Sequence, residues 1–296
     1  MHLHAKPVSN SNGVQSGDDV MEVQDEMTSV DPICLKRKVT IPLVSAASTA
    51  VPIEAGIPKQ FRKANSPLMD SGGTGARSNL FSSSFRDLVQ QHRVHLAVIL
   101  EPRISGVTAD RVIRTLGFQG WVREDARGFV GGIWVLWHPD VLSVSVVQRC
   151  DQFLHVQVSP HGKPSFFLTA VYTSTSESRQ SSLWPRLLFI SERMQDPWLL
   201  MGDFNVTAFP EETQGGAGVQ FNRLARFREW ISDCHLTDLG FKGPRFTWFR
   251  GLIRRRLDRM LANDQWRARF DDASVFHLLR VKSDHRPLLL KKVADS

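Results

Sequence analysis

Apolar and polar positions are unevenly distributed along the chain. Up to about residue 60, large apolar side chains are scattered among Ser, Val, Asp and Pro with no sustained period. Such a stretch cannot bury enough apolar surface to offset its ordering entropy. Residues 1–65 therefore read as a disordered tail, and 66–296 as the folded domain. From residue 79 a pattern sets in: Leu80, Phe81, Phe85, Leu88 and Val89 recur at helical spacing. The run 96–100 is short and wholly apolar, which predicts a buried strand. Residues 108–116 predict a helix with Val112, Ile113 and Leu116 inward and Gly117 as its stop. Strands are expected at 132–137, 142–148, 153–158 and 166–172, the second and third alternating as a hairpin would. Residues 181–194 look helical, with Pro185 expected to start or kink that helix. A strand at 198–201 and an amphipathic helix at 221–231 follow, then short strands and turns to a last strand at 288–290. Helices flanking many strands predict an α+β fold of two packed mixed β-sheets covered by helices.

Composition narrows the class. With 42% hydrophobic and 23% charged residues the chain is ordinary globular material, sufficient for one sizeable core. The formal net charge is +7, and the first sixty residues carry five basic against seven acidic side chains, so the remainder carries +9. That balance suits an anionic partner such as nucleic acid. Cys34, Cys150 and Cys234 are few, odd in number and far apart, which argues against a disulfide scaffold or a zinc finger and for reduced thiols. No apolar run is long enough to span a membrane, and no apolar core of a secretory signal is present. An intracellular protein is expected. The basic cluster Lys36-Arg37-Lys38 reads as a solvated patch, with a nuclear address as the alternative.

Candidate chemistry sits where apolar strands end. Glu101 follows the run 96–100, and Asp203 and Asn205 follow 198–201. Asp258 lies in Arg256-Leu-Asp-Arg259, and Asp284 and His285 lie just before the final strand. Strand ends converge on one edge of a sheet, where sites are commonly built. Oxygen donors of this kind suit Mg²⁺ or Mn²⁺, and a His beside an Asp suits acid–base work or stabilisation of a charged phosphate. Each carboxylate alone could equally be a turn residue or strand cap.

Gly202-Asp-Phe-Asn205 after an apolar strand, with Ser283-Asp-His285 near the C-terminus, resembles the paired signature of the endonuclease/exonuclease/phosphatase (DNase I-like) superfamily. Arg256-Leu-Asp258 between them, Glu101, and Tyr172 after a central strand match further motifs of that superfamily. The stretches 100–106, 131–137, 197–205, 246–248 and 283–289 look like the endonuclease domain of plant LINE-type retrotransposons. The resemblance spans about residues 69–291. It implies a four-layer α/β/β/α sandwich and a metal-dependent phosphodiester hydrolase, a DNA-nicking endonuclease. Mg²⁺ or Mn²⁺ would be held by Glu101, Asp284 and Asp70, and catalysis would fall to His285, Asp203, Asn205, Asp258 and Tyr172. Asp70 departs from the pattern: it stands in Met69-Asp-Ser-Gly-Gly73 where the family has Trp-Asn-x-x-Gly, and a carboxylate for an amide removes two N–H donors.

Arg250, Arg254, Arg255 and Arg256 read either as contacts to the DNA backbone or as a solvated hairpin with charged ends. The tryptophans read mostly as core, with Trp248 near DNA as the alternative. DNA is the implied partner of a monomer, with a reverse transcriptase supplied elsewhere, because the chain stops just after the last nuclease strand. Two other readings stay open: a phosphatase of the same superfamily, and a catalytically impaired nucleic-acid-binding relic.

Overall fold

Alternation along the strands sorts apolar side chains into three cores. In β2 (Leu96–Leu100), Leu96, Val98 and Leu100 enter one cluster and Ala97 and Ile99 another. In β8 (Trp198–Asp203), Leu199 and Met201 join the first cluster, whereas Trp198 and Leu200 join a third. Successive strand side chains point to opposite faces, so both strands are covered on two sides. The computed structural model of the protein describes residues 38–42, 74–126, 131–216, 218, 220–281 and 283–292, all within one compact unit, Ile33–Ser296.

The first sheet takes the order β14-β15-β1-β2-β4-β3, with β1 at Lys38–Pro42, β3 at Gly120–Glu124, β4 at Ile133–Trp137, β14 at Ala273–His277 and β15 at Leu288–Lys292. The second takes the order β10-β13-β8-β7-β6-β5, with β5 at Leu142–Cys150, β6 at Phe153–Pro160, β7 at Phe166–Tyr172, β10 at Thr237–Asp238 and β13 at Asp258–Ala262. A small third sheet joins β11 (Trp248–Arg250), β12 (Ile253–Arg255) and β9 (Thr213–Gln214). The central core lies between the two large sheets. Helices α1 (Thr74–His92) and α2 (Gly106–Arg114) cover the first sheet through Phe85, Leu88 and Ile113. Helices α3 (Glu177–Ser191) and α4 (Phe221–Asp233) cover the second through Leu183, Leu187, Phe227 and Trp230. The expected α+β architecture of mixed sheets flanked by helices is what forms.

Two expectations meet a different outcome. Residues 38–42 fall inside the stretch read as a tail, yet they form β1, antiparallel to β2 and parallel to β15. Their two apolar residues are too few to register as a strand, and the partners that hold them lie far along the chain. The helix expected from 181 begins at Glu177, which puts Pro185 in its interior. A proline there removes one helical hydrogen bond at a cost of about 3 kcal/mol. Burying Leu183, Leu187 and Ile190, at about 1.5–3 kcal/mol each, offsets that. The expectations for Asp70, Cys34 and most of 1–65 lie outside the described residues. Cys150 and Cys234 are free thiols. Trp134, Trp198, Trp230 and Trp266 are core, as expected.

Among the described residues no helix is long and apolar enough to cross a membrane.

Gly202 is the tightest point between β7 and β8. Its φ is +146°, and a Cβ there would lie 1.9 Å from the Val171 carbonyl oxygen, a backbone atom with no room to yield. Gly202→Ala should destabilise the fold by about 3 kcal/mol or more. Urea unfolding that placed the variant within about 0.5 kcal/mol of the parent would contradict this packing.

Candidate active site

The chemistry is the continuation of the central core. On β8 the inward positions are Leu199, Met201 and then Asp203; on β13 they are Ala262, Met260 and then Asp258; on β7 they are Leu168, Ala170 and then Tyr172. Tyr172 pairs in register with Asp203, and Asp203 with Asp258. One edge of the sheet thus carries a phenol and two carboxylates side by side, both carboxylates buried. His285 arrives from the other sheet, three residues before β15.

His285 Nδ1 and Asp258 Oδ2 are 2.7 Å apart, and both side chains are 1% exposed. Asp203, Asp258 and His285 each offer a donor atom within 4.8 Å of the others. The Asp258 bond fixes the imidazole: a neutral ring that donates Nδ1–H presents its lone pair at Nε2. His285 Nε2 is buried and makes no hydrogen bond among the described residues, so it is the ring atom left for chemistry. The backbone frame is equally specific. Thr247 Oγ1 accepts from the amides of Leu257 and Asp258. The Asp284 carbonyl accepts from Phe249 N, and Asp284 Oδ2 accepts from Trp248 Nε1 at 3.1 Å.

Asn205 is held in a left-handed turn, φ +48°. Its amide N donates to Asp203 Oδ1 at 2.9 Å, and its side-chain Nδ2 donates to the Thr173 carbonyl at 2.7 Å. Arg223 Nη2 donates to the Asn205 carbonyl and to Gln180 Oε1. Burial pushes the Arg223 guanidinium below its ordinary pKa. Helices α3 and α4 therefore both clamp the turn that presents Asn205.

Glu101 leaves β2 in a left-handed conformation, φ +52°, with its amide on the Gly132 carbonyl. Arg103, φ +59°, binds Glu101 Oε1 through Nε and Nη2. Burial alone would lower the Arg103 pKa, but the Glu101 hydrogen bond and charge, together with the charges of Tyr172 and Asp284, raise it. The guanidinium thus sits among the groups expected to bind metal.

The site brings Tyr172, Asp203, Asn205, Asp258 and His285 together, with Glu101 held by Arg103 and Asp284 by Trp248. Its donor chemistry fits a hard divalent cation, because buried carboxylates in such number call for positive charge. Among the described residues, Asp203, Asp258 and His285 form the one group of carboxylates and imidazole with ligating spacing, and within it Asp258 Oδ2 and His285 Nδ1 already hold each other. A small apolar cleft lined by Phe81, Phe85, Leu88, Val281, Ser283 and His285 abuts the site only through the last two. Nothing apolar of that kind suits a phosphate.

One candidate is placed elsewhere. Arg256, expected to contact nucleic acid, is 5% exposed. It binds Glu212 Oε1 at 2.9 Å and Asp238 through both terminal nitrogens. Arg259, with no exposed surface, binds the same two carboxylates. A buried guanidinium committed to two carboxylates cannot reach a phosphate backbone. Arg250 and Arg254 are exposed on the β11–β12 hairpin, and Arg255 is half-buried. Glu212 also accepts the amides of Ala208 and Phe209, which ties the loop after β8 to β13. The sequence reading missed Glu212, Asp238, Thr247 and Arg103. Only the excess of charge in 254–259 hinted at the first two, and Arg103 was indistinguishable from a surface arginine.

The sequence matches the endonuclease/exonuclease/phosphatase family over residues 64–285. None of the curated proteins matches it significantly. Solved structures share its fold at low identity. An AP endonuclease from Leishmania major superposes with a TM-score of 0.57 at 15% identity, over 72% of this chain and 83% of that one. The endonuclease domain of TRAS1, a telomere-specific non-LTR retrotransposon, gives a TM-score of 0.54 at 16% identity, over 73% and 94%. An AP endonuclease from Archaeoglobus fulgidus gives 0.54 at 15%, over 74% and 95%.

The buried ion network gives stability a pH dependence. Burial alone would raise the Asp238 carboxyl, but Arg256 and Arg259 outweigh it and hold the pKa at about 2; the same pair lowers Glu212. A depressed carboxylate stabilises the fold above its unfolded pKa of about 4, and that stability is lost as pH falls toward 2. Glu212→Gln should cost about 3–5 kcal/mol at neutral pH, since it leaves buried guanidinium charge uncompensated. Asp238→Asn should flatten the acid limb between about pH 4 and 2. A denaturation series across pH 2–7 checks both, and an unchanged acid limb in Asp238→Asn would refute the assignment.

Proposed function

The chain belongs to the endonuclease/exonuclease/phosphatase family, and from that premise we propose that it is a divalent-metal-dependent phosphodiesterase that nicks DNA, of the kind carried by plant LINE-type retrotransposons. The observation that carries this reading is the buried His285–Asp258 pair beside Asp203 at the end of the inter-sheet core.

Each residue has a task that its geometry allows. Asp203 and Asn205 orient the attacking water, and Asp203 accepts its proton. Asn205 Nδ2 is anchored on Thr173, which fixes the plane of its amide. His285, its ring held by Asp258, presents Nε2 to a phosphate oxygen. The Tyr172 hydroxyl donates to another. Glu101 and Asp284, with Asp70 from outside the described residues, would hold Mg²⁺ or Mn²⁺, which supplies charge stabilisation for the phosphate and the leaving oxygen.

DNA is favoured over a small phosphoester by the +9 charge beyond residue 60 and by Arg250 and Arg254 exposed on their hairpin. Trp248, beside Asp284 at the base of that hairpin, lines the same approach. The LINE-like stretches 100–106 and 197–205, and the shared fold of a retrotransposon endonuclease domain, support the narrower origin. A Neisseria 3′ phosphatase of this fold has been solved with a product DNA hairpin.

Supercoiled plasmid incubated with the protein and Mg²⁺ or Mn²⁺ should convert to the nicked circle. His285→Ala should slow this by about 10³-fold or more, the scale of losing an acid–base or oxyanion group. A parent protein that leaves the plasmid supercoiled but releases phosphate from small phosphoesters would move the reading to a phosphatase.

A further inference from the structure

We propose that Arg103 is a further catalytic residue: it occupies the Glu101 carboxylate until a divalent cation arrives, and then binds a phosphate oxygen of the substrate. This rests on the metal-dependent reading above. Three observations carry it. Arg103 directs Nε and Nη2 onto the same oxygen of Glu101, at 3.2 and 2.6 Å, and among the described residues its Nη1 makes no hydrogen bond. Its charge also feels Tyr172 and Asp284, so the half-exposed guanidinium lies between the site and solvent. The backbone that puts it there is unusual. Glu101 and Arg103 are both left-handed, on either side of Pro102, with Arg103 N on the Gly131 carbonyl. Non-glycine residues in that region carry strain, which persists only where the surroundings over-determine it.

The chemistry follows from competition for one carboxylate. A guanidinium and a divalent cation on the same carboxylate repel each other and share its electron density, so a cation at Glu101 loosens the Arg103 bond to Oε1. Each therefore weakens the other, and the coupling is reciprocal. Once displaced, the guanidinium is a planar fork matched to two phosphate oxygens. It lies beside Tyr172, whose hydroxyl has the same target. No bond is made or broken by Arg103; it supplies positive charge in the transition state and releases it with the product.

Mn²⁺ uptake by the full chain, read from the loss of the free-ion paramagnetic resonance signal, tests this without any turnover. Arg103→Ala should bind Mn²⁺ about tenfold tighter or more, because a positive charge beside the ion is removed. The same variant should lose about 10²-fold in kcat/KM for plasmid nicking. Arg103→Lys, which keeps the charge but not the fork, should bind Mn²⁺ as the parent does and recover part of the activity. Arg103→Ala binding Mn²⁺ no tighter than the parent, while the parent binds it well, would overturn the proposal and leave the metal-dependent reading intact. A parent chain that takes up no Mn²⁺ would overturn both. A merely structural role for Arg103 would not tighten metal binding.

Discussion

Asp203 and Asp258 face each other in register at the end of an apolar core, and the molecule is arranged around keeping such charges compensated. Two carboxylates in a dry site repel one another, and an uncompensated buried charge costs several kcal/mol. His285 meets Asp258 at 2.7 Å, and Asp203 takes an amide from Asn205. The next residue on β13 is the mirror case. Alternation turns Arg259 to the opposite face, under Phe227 of α4, with its guanidinium 5.6 Å from the ring centroid. There it has no exposed surface and depends wholly on Glu212 and Asp238. One strand thus buries an acid on one face and a base on the other within two residues.

That requirement determines the loops. Glu212 can serve Arg256 and Arg259 only if the segment after β8 folds back over β13, and it secures the fold-back by accepting the Ala208 and Phe209 amides. The same segment starts with the left-handed turn at Asn205, so the network that compensates the arginines also fixes a residue of the candidate site. Thr247 does the equivalent work on the other flank, capping the start of β13 while Trp248 bonds Asp284. Sites built on such supports hold their geometry without metal, because the tertiary hydrogen bonds have already offset the ordering entropy.

These features were unequally legible in the sequence. Strands β2, β4, β7 and β8 were visible because a strand covered on both faces is a continuous apolar run, and their polar ends announced the candidate site. Glu101, Asp203, Asn205, Asp258, Asp284 and His285 stood out as candidates because strand-end position and motif are local properties. The β1 strand was not visible, since two apolar residues mark no period and its partners lie at 96–100 and 288–292. Nor was the fate of Arg256, whose partners are 44 and 18 residues away. Helix α3 extends N-terminal of Pro185, back to Glu177, because local propensity yields to tertiary burial when three apolar side chains on one helix are covered.

The run Arg254-Arg-Arg256 shows what a count of basic residues conveys about a nucleic-acid surface. Arg254 is exposed on its hairpin, whereas Arg256, two positions on, is a buried structural cation. Sequence adjacency therefore overstates the basic patch. It does not overstate the net field. Each buried arginine is matched by a buried or half-buried carboxylate, so the internal network removes two positive and two negative charges together. The excess beyond residue 60 remains on the exposed arginines and lysines. Long-range attraction to a polyanion depends on that excess, while local contact depends on which side chains can reach it. Arg250 and Arg254 satisfy both conditions, and Arg256 satisfies neither.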